Sequence, residues 1–289
     1  MAEPDLTLQE AADLLGVHYM TAYRYVRLGL LPATKAGGTW RVTRAELDEF
    51  RAGSATAPQP DGGGRRRAPW AERLEARLIA GDARGAWGVI EAALTAGAEL
   101  DEIYLDVLAP AMASIGAQWE AGELDISVEH RASGIAMRLI GRLGPRFVRR
   151  GRTRGSVLVG GPAGERHSLA TAMLADLIRS HGWEVSDLGA DTPDASFVHA
   201  ALDEPDLVAV AVSVSTAESL ASARSVLTAL RAALPDVLLV VGGGAIRDEA
   251  QAKELGADAF AASGKEFADL LDRADSDQDD ATWGSAAGH

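Results

Sequence analysis

Between residues 155 and 272, short apolar runs alternate with longer segments whose apolar residues recur at helical spacing. Val157-Leu-Val159, Val208-Ala-Val-Ala-Val212 and Val237-Leu-Leu-Val-Val241 are continuous rather than alternating. Such strands are covered on both faces, which predicts a parallel sheet. The pattern predicts strands over 156–160, 184–188, 207–214, 237–241 and 257–261, with helices over 168–181, 194–202, 219–234, 247–255 and 264–271. This is an α/β arrangement of the flavodoxin-like, Rossmann-like type. Upstream, the 3.6-residue period dominates from 69 to 150. Helices are expected over 69–80, 83–96, 100–121 and 127–148, broken at Gly81-Asp82, Gly97 and Gly122. Four helices with short connections predict a bundle.

The first 52 residues follow a different pattern. Thr7-Leu-Gln-Glu10 is a capping box, and Leu8, Ala11, Ala12 and Leu15 form a helical stripe ending at Gly16. A second helix is expected from Val17 to Leu28, with Val17, Ala22 and Val26 facing the core, and Gly29 stopping it. Lys35–Val42 reads as a small β-wing, followed by a helix through Phe50. Together these predict a winged helix-turn-helix. The chain is therefore multidomain: 1–53 winged helix-turn-helix, 54–68 flexible linker, 69–150 four-helix bundle, 151–272 α/β domain, and 273–289 an acidic tail without a fold of its own.

Charge refines this division. The chain has 289 residues and a net charge of −14, but residues 1–67 hold 9 Lys+Arg against 8 Asp+Glu. DNA contact is therefore expected from the N-terminal part, through His18, Tyr19, Thr21, Tyr23, Arg24 and Arg27 on the second helix and Lys35 and Arg41 on the wing. The alternative is a small helical interaction domain with no DNA partner. No apolar run reaches the ~18 residues of a membrane span and no signal-peptide pattern opens the chain, so a cytoplasmic protein without a membrane partner is expected. With no cysteine, disulfides, thiolate metal sites and cysteine catalysis are excluded.

The chemistry gathers where strands end. Ligands of open α/β sheets bind at the carboxyl ends of the strands. Here the first strand opens into Gly160-Gly-Pro-Ala-Gly-Glu-Arg-His167, Ser213 closes the third, and Gly242-Gly-Gly244 closes the fourth. His167 alone reads as a plain loop residue, as a lone His after a strand usually is. A phosphate-binding loop is a competing reading, although Gly-x-Gly-x-x-Gly and a Lys-Ser/Thr ending are both missing. Trp119, and Glu129-His130 ten residues on, read singly as a core aromatic and a helix-start charge favoured by the dipole.

Taken together, Glu165-Arg-His167, Ser213-Val-Ser215, Gly242-Gly243, Trp119 and Glu129-His130 resemble the cobalamin-binding domain family, and within it the CarH-type light-sensing repressors. Residues 6–52, with Gly-Gly-Thr-Trp40-Arg41, resemble the excisionase/MerR-like winged helices. The resemblance implies that His167 is the lower axial ligand of cobalt in adenosylcobalamin or another cobalamin. It implies that Glu165, standing where the family has Asp, orients His167, with Ser219 completing the relay. Ser213, Gly242 and Gly243 would line the groove of the displaced nucleotide tail. The helical bundle would be a cap, with Trp119 on the upper axial group and Glu129 and His130 bonding its polar parts.

The sequence departs from that pattern in Glu165 for Asp, Ala170 for Gly and Ser215 for Leu, and also at residue 120. Glu120 follows Trp119 where the best-known CarH-type members have a histidine that takes the upper position after illumination. Solvent, or Glu120 itself as an oxygen ligand, is expected there instead. The resemblance further implies a regulator, not an enzyme, working as a homo-oligomer (dimer or tetramer) on a double-stranded DNA operator. A corrinoid carrier for methyl transfer, or a sensor of cobalamin itself without light, remains open.

Overall fold

The computed structural model describes residues 6–15, 22, 25–26, 31–36, 39–53, 68–149 and 151–274. Residues 54–67 of the linker and 275–289 of the tail lie outside these, as do His18, Tyr19, Thr21, Tyr23, Arg24 and Arg27. The chain divides into two compact units, Met1–Trp70 and Ala71–His289.

In the N-terminal unit, β1 (Leu6–Thr7) leads into α1 (Leu8–Leu15), and β2 (Thr34–Ala36), β3 (Thr39–Val42) and α2 (Arg44–Gly53) follow. The wing is a three-stranded antiparallel sheet rather than a lone hairpin. Leu6 pairs with Val42 and Thr34 with Arg41, in the order β1-β3-β2. Thr7 therefore serves twice, as a strand residue and as the cap of α1. Its hydroxyl accepts from Glu10 N at 3.2 Å while its own N–H donates to Glu10 Oε2 at 2.7 Å. The same reciprocal box recurs at Thr43 and Glu46, opening α2. Leu8, Ala11, Ala12, Ala22, Val26, Leu31, Val42 and Leu47 close the core.

The second unit begins with a helical region: α3 (Trp70–Ile79), α4 (Ala83–Thr95), α5 (residues 100–120) and α6 (Ile126–Leu143). Asp82 and Asp125 cap α4 and α6, accepting from Gly85 N and Ser127 N at 2.8 Å each. Within α5, Ile103–Leu108 is π-helical. It stands directly before Pro110, whose ring would meet the carbonyl of Asp106 in a regular α-helix, and the wider turn relieves that clash. The helix expected to run to residue 148 ends at Leu143, where Gly144-Pro145 turns the chain into a 3-10 turn, Gly144–Arg146. Phe147 then turns inward and stacks on Tyr104, ring centroids 4.6 Å apart.

The α/β part follows as β4 (Ser156–Gly160), α7 (Ser168–Ser180), β5 (Glu184–Asp187), α8 (Asp194–Asp203), β6 (Leu207–Ser213), α9 (Leu220–Ala233), β7 (Leu238–Gly242), α10 (Glu249–Leu255), β8 (Ala259–Ala261) and α11 (residues 264–274). All strand pairs are parallel, in the order β5-β4-β6-β7-β8, which is the flavodoxin-like order. The continuous apolar runs divide by parity. Leu158, Val210, Val212, Leu239 and Val241 pack on the α8–α10 side, and Val157, Val159, Ala209, Ala211 and Val240 on the α7 side. Several expected boundaries shift by up to three residues: α9 starts after a 3-10 turn at Ala217–Ser219, and β8 is confined to Ala259–Ala261. Among the described residues, no helix is long and apolar enough to cross a membrane.

Candidate functional site

The loop after β4 is built around a buried carboxylate. Glu165 has no solvent exposure, and each of its oxygens is bound. Oε1 lies 2.5 Å from His167 Nδ1 and accepts from the His167 backbone N–H at 3.0 Å. Oε2 accepts from the Ser215 backbone N–H at 2.6 Å, just beyond the end of β6. Gly161 makes room for this side chain, since a Cβ there would sit 2.9 Å from Glu165 Cγ.

The electrostatics follow from these contacts. Burial alone pushes the Glu165 carboxyl up. Hydrogen bonds from the His167 ring, from Ser215 N–H and from His167 N–H, together with the imidazole charge, nevertheless hold it at about 2. His167 is raised above the usual imidazole value, first by its bond to Glu165, with burial opposing. The charges of Glu165, Glu129 and Glu120 raise it further. The carboxylates of Glu120, at the end of α5, and of Glu129, in the first turn of α6, therefore lie within electrostatic reach of this ring.

His167 is the N-cap of α7, yet its ring does not cap the helix. The ring is 55% exposed, and among the described residues nothing but Glu165 bonds it. An imidazole whose Nδ1–H is held by a buried carboxylate presents the Nε2 lone pair in a fixed orientation, the arrangement that metal-ligating histidines use. Among the described residues, no group of three or more His, Cys, Asp or Glu could hold a metal ion. A metal held by His167 would have to bring most of its ligands with it, as in a macrocycle. An exposed imidazole held in this way could serve as a single axial ligand to such a group.

The helical region supplies the remaining candidates. Trp119, on the last turn of α5, is 41% exposed despite its size. Glu129 accepts from Ser133 Oγ at 2.5 Å and lies 2.7 Å from His130 Nδ1. At the sheet, Ser213 is nearly buried at the carboxyl end of β6. The buried hydroxyl of Ser219 lies 3.1 Å from that of Thr216, while the oxygens of Glu165 are engaged by His167 and Ser215. A Cβ on Gly242 would meet the Ala261 carbonyl at 2.5 Å. Gly243 has φ +106°, and a Cβ there would meet the Val214 carbonyl at 2.3 Å. The close approaches these glycines permit are between strand ends of the protein itself.

Of the eight residues expected to meet DNA, Arg41 lies on β3 and Lys35 on β2. The other six fall outside the described residues. The Ser215 N–H and Gly161 had no signal of their own in the chain. Both become visible only when the ends of β4 and β6 are brought side by side.

Comparison with known proteins matches each part. Residues 155–271 and 70–143 each match a B12 binding domain, and residues 6–54 a helix-turn-helix domain. The dimethylamine corrinoid protein of Methanosarcina barkeri is 28% identical over 175 residues, covering 58% of this chain and 80% of that protein. The HTH-type transcriptional repressor CarH of Myxococcus xanthus is 33% identical over 181 residues, covering 62% of this chain and 58% of that protein. Among solved structures, the Methanosarcina barkeri monomethylamine corrinoid protein shares the fold, with a TM-score of 0.61 at 21% identity over 70% of this chain and 96% of that one. The chain thus joins a helix-turn-helix domain to B12-binding domains, a combination that points to a cobalamin-binding, DNA-binding regulator.

Proposed function

We propose that the protein is a transcriptional regulator whose bound cobalamin controls its oligomeric state, dimer or tetramer, and through it the affinity for a double-stranded DNA operator. The observation that carries this is the exposed His167 ring, aligned by the buried Glu165 and within electrostatic reach of Glu120 and Glu129, in a chain that also has a helix-turn-helix domain. His167 would hold the lower face of the corrin, Ser213 would donate to the nucleotide tail, and Trp119, Glu129 and His130 on the helical cap would cover the upper face. With an adenosyl upper group, cobalamin supplies a cobalt–carbon bond that visible light breaks. Trp119 would pack on that group, so losing it would loosen the cap, and an oligomer held together through the cap would come apart and release DNA.

A second reading, a corrinoid carrier for methyl transfer, is favoured by the similarity to the dimethylamine corrinoid protein. The helix-turn-helix domain separates the two, because a methyl carrier has no use for it. His167→Ala should abolish tight cobalamin binding or change the spectrum to that of another lower ligand, and an unchanged affinity and spectrum would count against the ligand assignment. Gel shifts of full-length cobalamin-loaded protein should show DNA binding at low salt. Arg24→Ala should weaken that binding by ~1–3 kcal/mol if the residue meets a base. Complete absence of binding would leave the carrier reading standing.

A further inference from the structure

Between Glu129 and Glu165 the chain carries eight arginines, no lysine and no carboxylate side chain, although its net charge is −14. The structure exposes those of them it describes along one continuous stretch of chain, from α6 to the start of β4. Arg131, Arg138 and Arg142 recur at seven and four residues and so share one face of α6, over roughly 16 Å of helix. Arg146 follows in the 3-10 turn, and Arg149, Arg152 and Arg154 on the segment leading to β4. All seven are exposed, and Arg150 lies outside the described residues. Three have work within the fold: Arg131 donates to the Ile79 carbonyl at 2.8 Å, Arg142 stacks 3.6 Å above the Trp87 ring, and Arg154 pairs with Asp272. Among the described residues, no carboxylate pairs with Arg138, Arg146, Arg149 or Arg152. Maintaining that many unpaired like charges on one surface costs stability through self-repulsion, which an anionic partner would reverse.

We infer that this arginine face is a second, sequence-independent DNA contact, gripping the phosphate backbone while the N-terminal domain reads the bases. The inference rests on the regulator reading. Guanidinium groups suit phosphate oxygens through paired hydrogen bonds, and a duplex offers one charge per ~1.7 Å of its axis, dense enough to meet every arginine of the row. A lipid surface fits less well. A helix lying on a membrane must insert an apolar face, and that of α6 is already spent on the core through Ala132, Ile135, Ala136, Leu139, Ile140 and Leu143.

The test is full-length cobalamin-loaded protein in which Arg138, Arg146, Arg149 and Arg152 are all replaced by Gln, titrated with duplex DNA of random sequence across a salt series. The slope of log K against log salt should become shallower by about 0.9 for each phosphate that is no longer neutralised, with affinity at low salt down by ~10-fold or more. The cobalamin spectrum, which reports on a site that none of the four residues enters, should be unchanged. Equal affinity and slope for variant and wild type would overturn the inference alone. An altered oligomeric state with unchanged DNA affinity per oligomer would overturn it by assigning the face to a second copy. Variant-sensitive binding to anionic vesicles, without a DNA effect, would assign it to a membrane. A wild type that binds no duplex at low salt would instead bring down the regulator reading, and this inference with it.

Discussion

Tyr104 donates a 2.7 Å hydrogen bond to Asp176, joining the π-helical turn of α5 to the middle of α7. Both groups are buried, and Asp176 is completed by Arg179, which donates to it at 2.9 Å and to the Val185 carbonyl at 2.6 Å. Tyr104→Phe keeps the ring stacked on Phe147 but takes one donor from a buried carboxylate, so it should cost ~1–3 kcal/mol in denaturant unfolding. Asp176→Ala, which strands Tyr104 and Arg179 together, should cost ~3–5 kcal/mol.

The same pair sets an alkaline limit. Burial, the bond to Asp176 and the charge of that carboxylate raise the Tyr104 phenol well above its usual 10, with Arg179 opposing. A folded value above the unfolded one means that the stabilisation is complete below pH 10 and is lost as the pH rises beyond it. Of the four tyrosines in the chain, one should stay un-ionised by phenolate absorbance until the protein unfolds, and in Tyr104→Phe that late step should vanish.

Glu165 sets the acid limit with the opposite sign. Its folded value of about 2 lies below the ordinary 4.5. The stabilisation is therefore present above pH 4.5 and lost as the pH falls toward 2, and the shift corresponds to about 3 kcal/mol. His167, raised in the fold, contributes stability that is complete below its ordinary 6.5 and declines as the pH climbs through the folded value. Between pH 4.5 and 6.5 both contributions are present. Unfolding of ligand-free protein across pH should show the acid loss, and Glu165→Gln should flatten it.

If the proposed regulator binds adenosylcobalamin, the position after Trp119 would decide what illumination leaves behind. With Glu120 there, the illuminated protein should lack the spectrum of a corrin held between two imidazoles, and its ligand should exchange readily. Glu120→His should create that spectrum. If wild type already shows it, His130 must have moved, and the assignment of Glu120 falls.

Glycines offer a contrast within one fold. Gly243→Ala forces a side chain onto φ +106° and into the Val214 carbonyl, and should cost several kcal/mol, at least ~2. Gly88, inside α4, has nothing within 4 Å of where a Cβ would stand, so Gly88→Ala should raise stability by up to ~1 kcal/mol. Thermal melts of the two variants should move in opposite directions.

Much of this fold is legible in the chain because apolar runs and glycine breaks act locally. The strands and the breaks at Gly81, Gly97 and Gly122 follow from that. The Glu165–His167 pairing is expected from the family resemblance rather than from the pattern, and it is as short as 2.5 Å although Glu stands where the family has Asp. What pattern alone does not reveal depends on pairings across long separations. β1 exists only because Leu6 finds Val42. The third hydrogen bond of Glu165 comes from a backbone N–H fifty residues away, and backbone groups carry no sequence signal. The π-turn has a local cause in Pro110, but periodicity averages over it.

The close fit of Glu165 against Gly161 has a consequence for loop exchange. The side chain folds back along the bare backbone of Gly161, so the two positions behave as one volume shared between them. Shortening the acid to Asp should open a gap there, and a methyl group at 161 should fill it, whereas either change alone leaves the loop too loose or too crowded. When this loop is grafted onto a relative, residues 161 and 165 should travel as a pair.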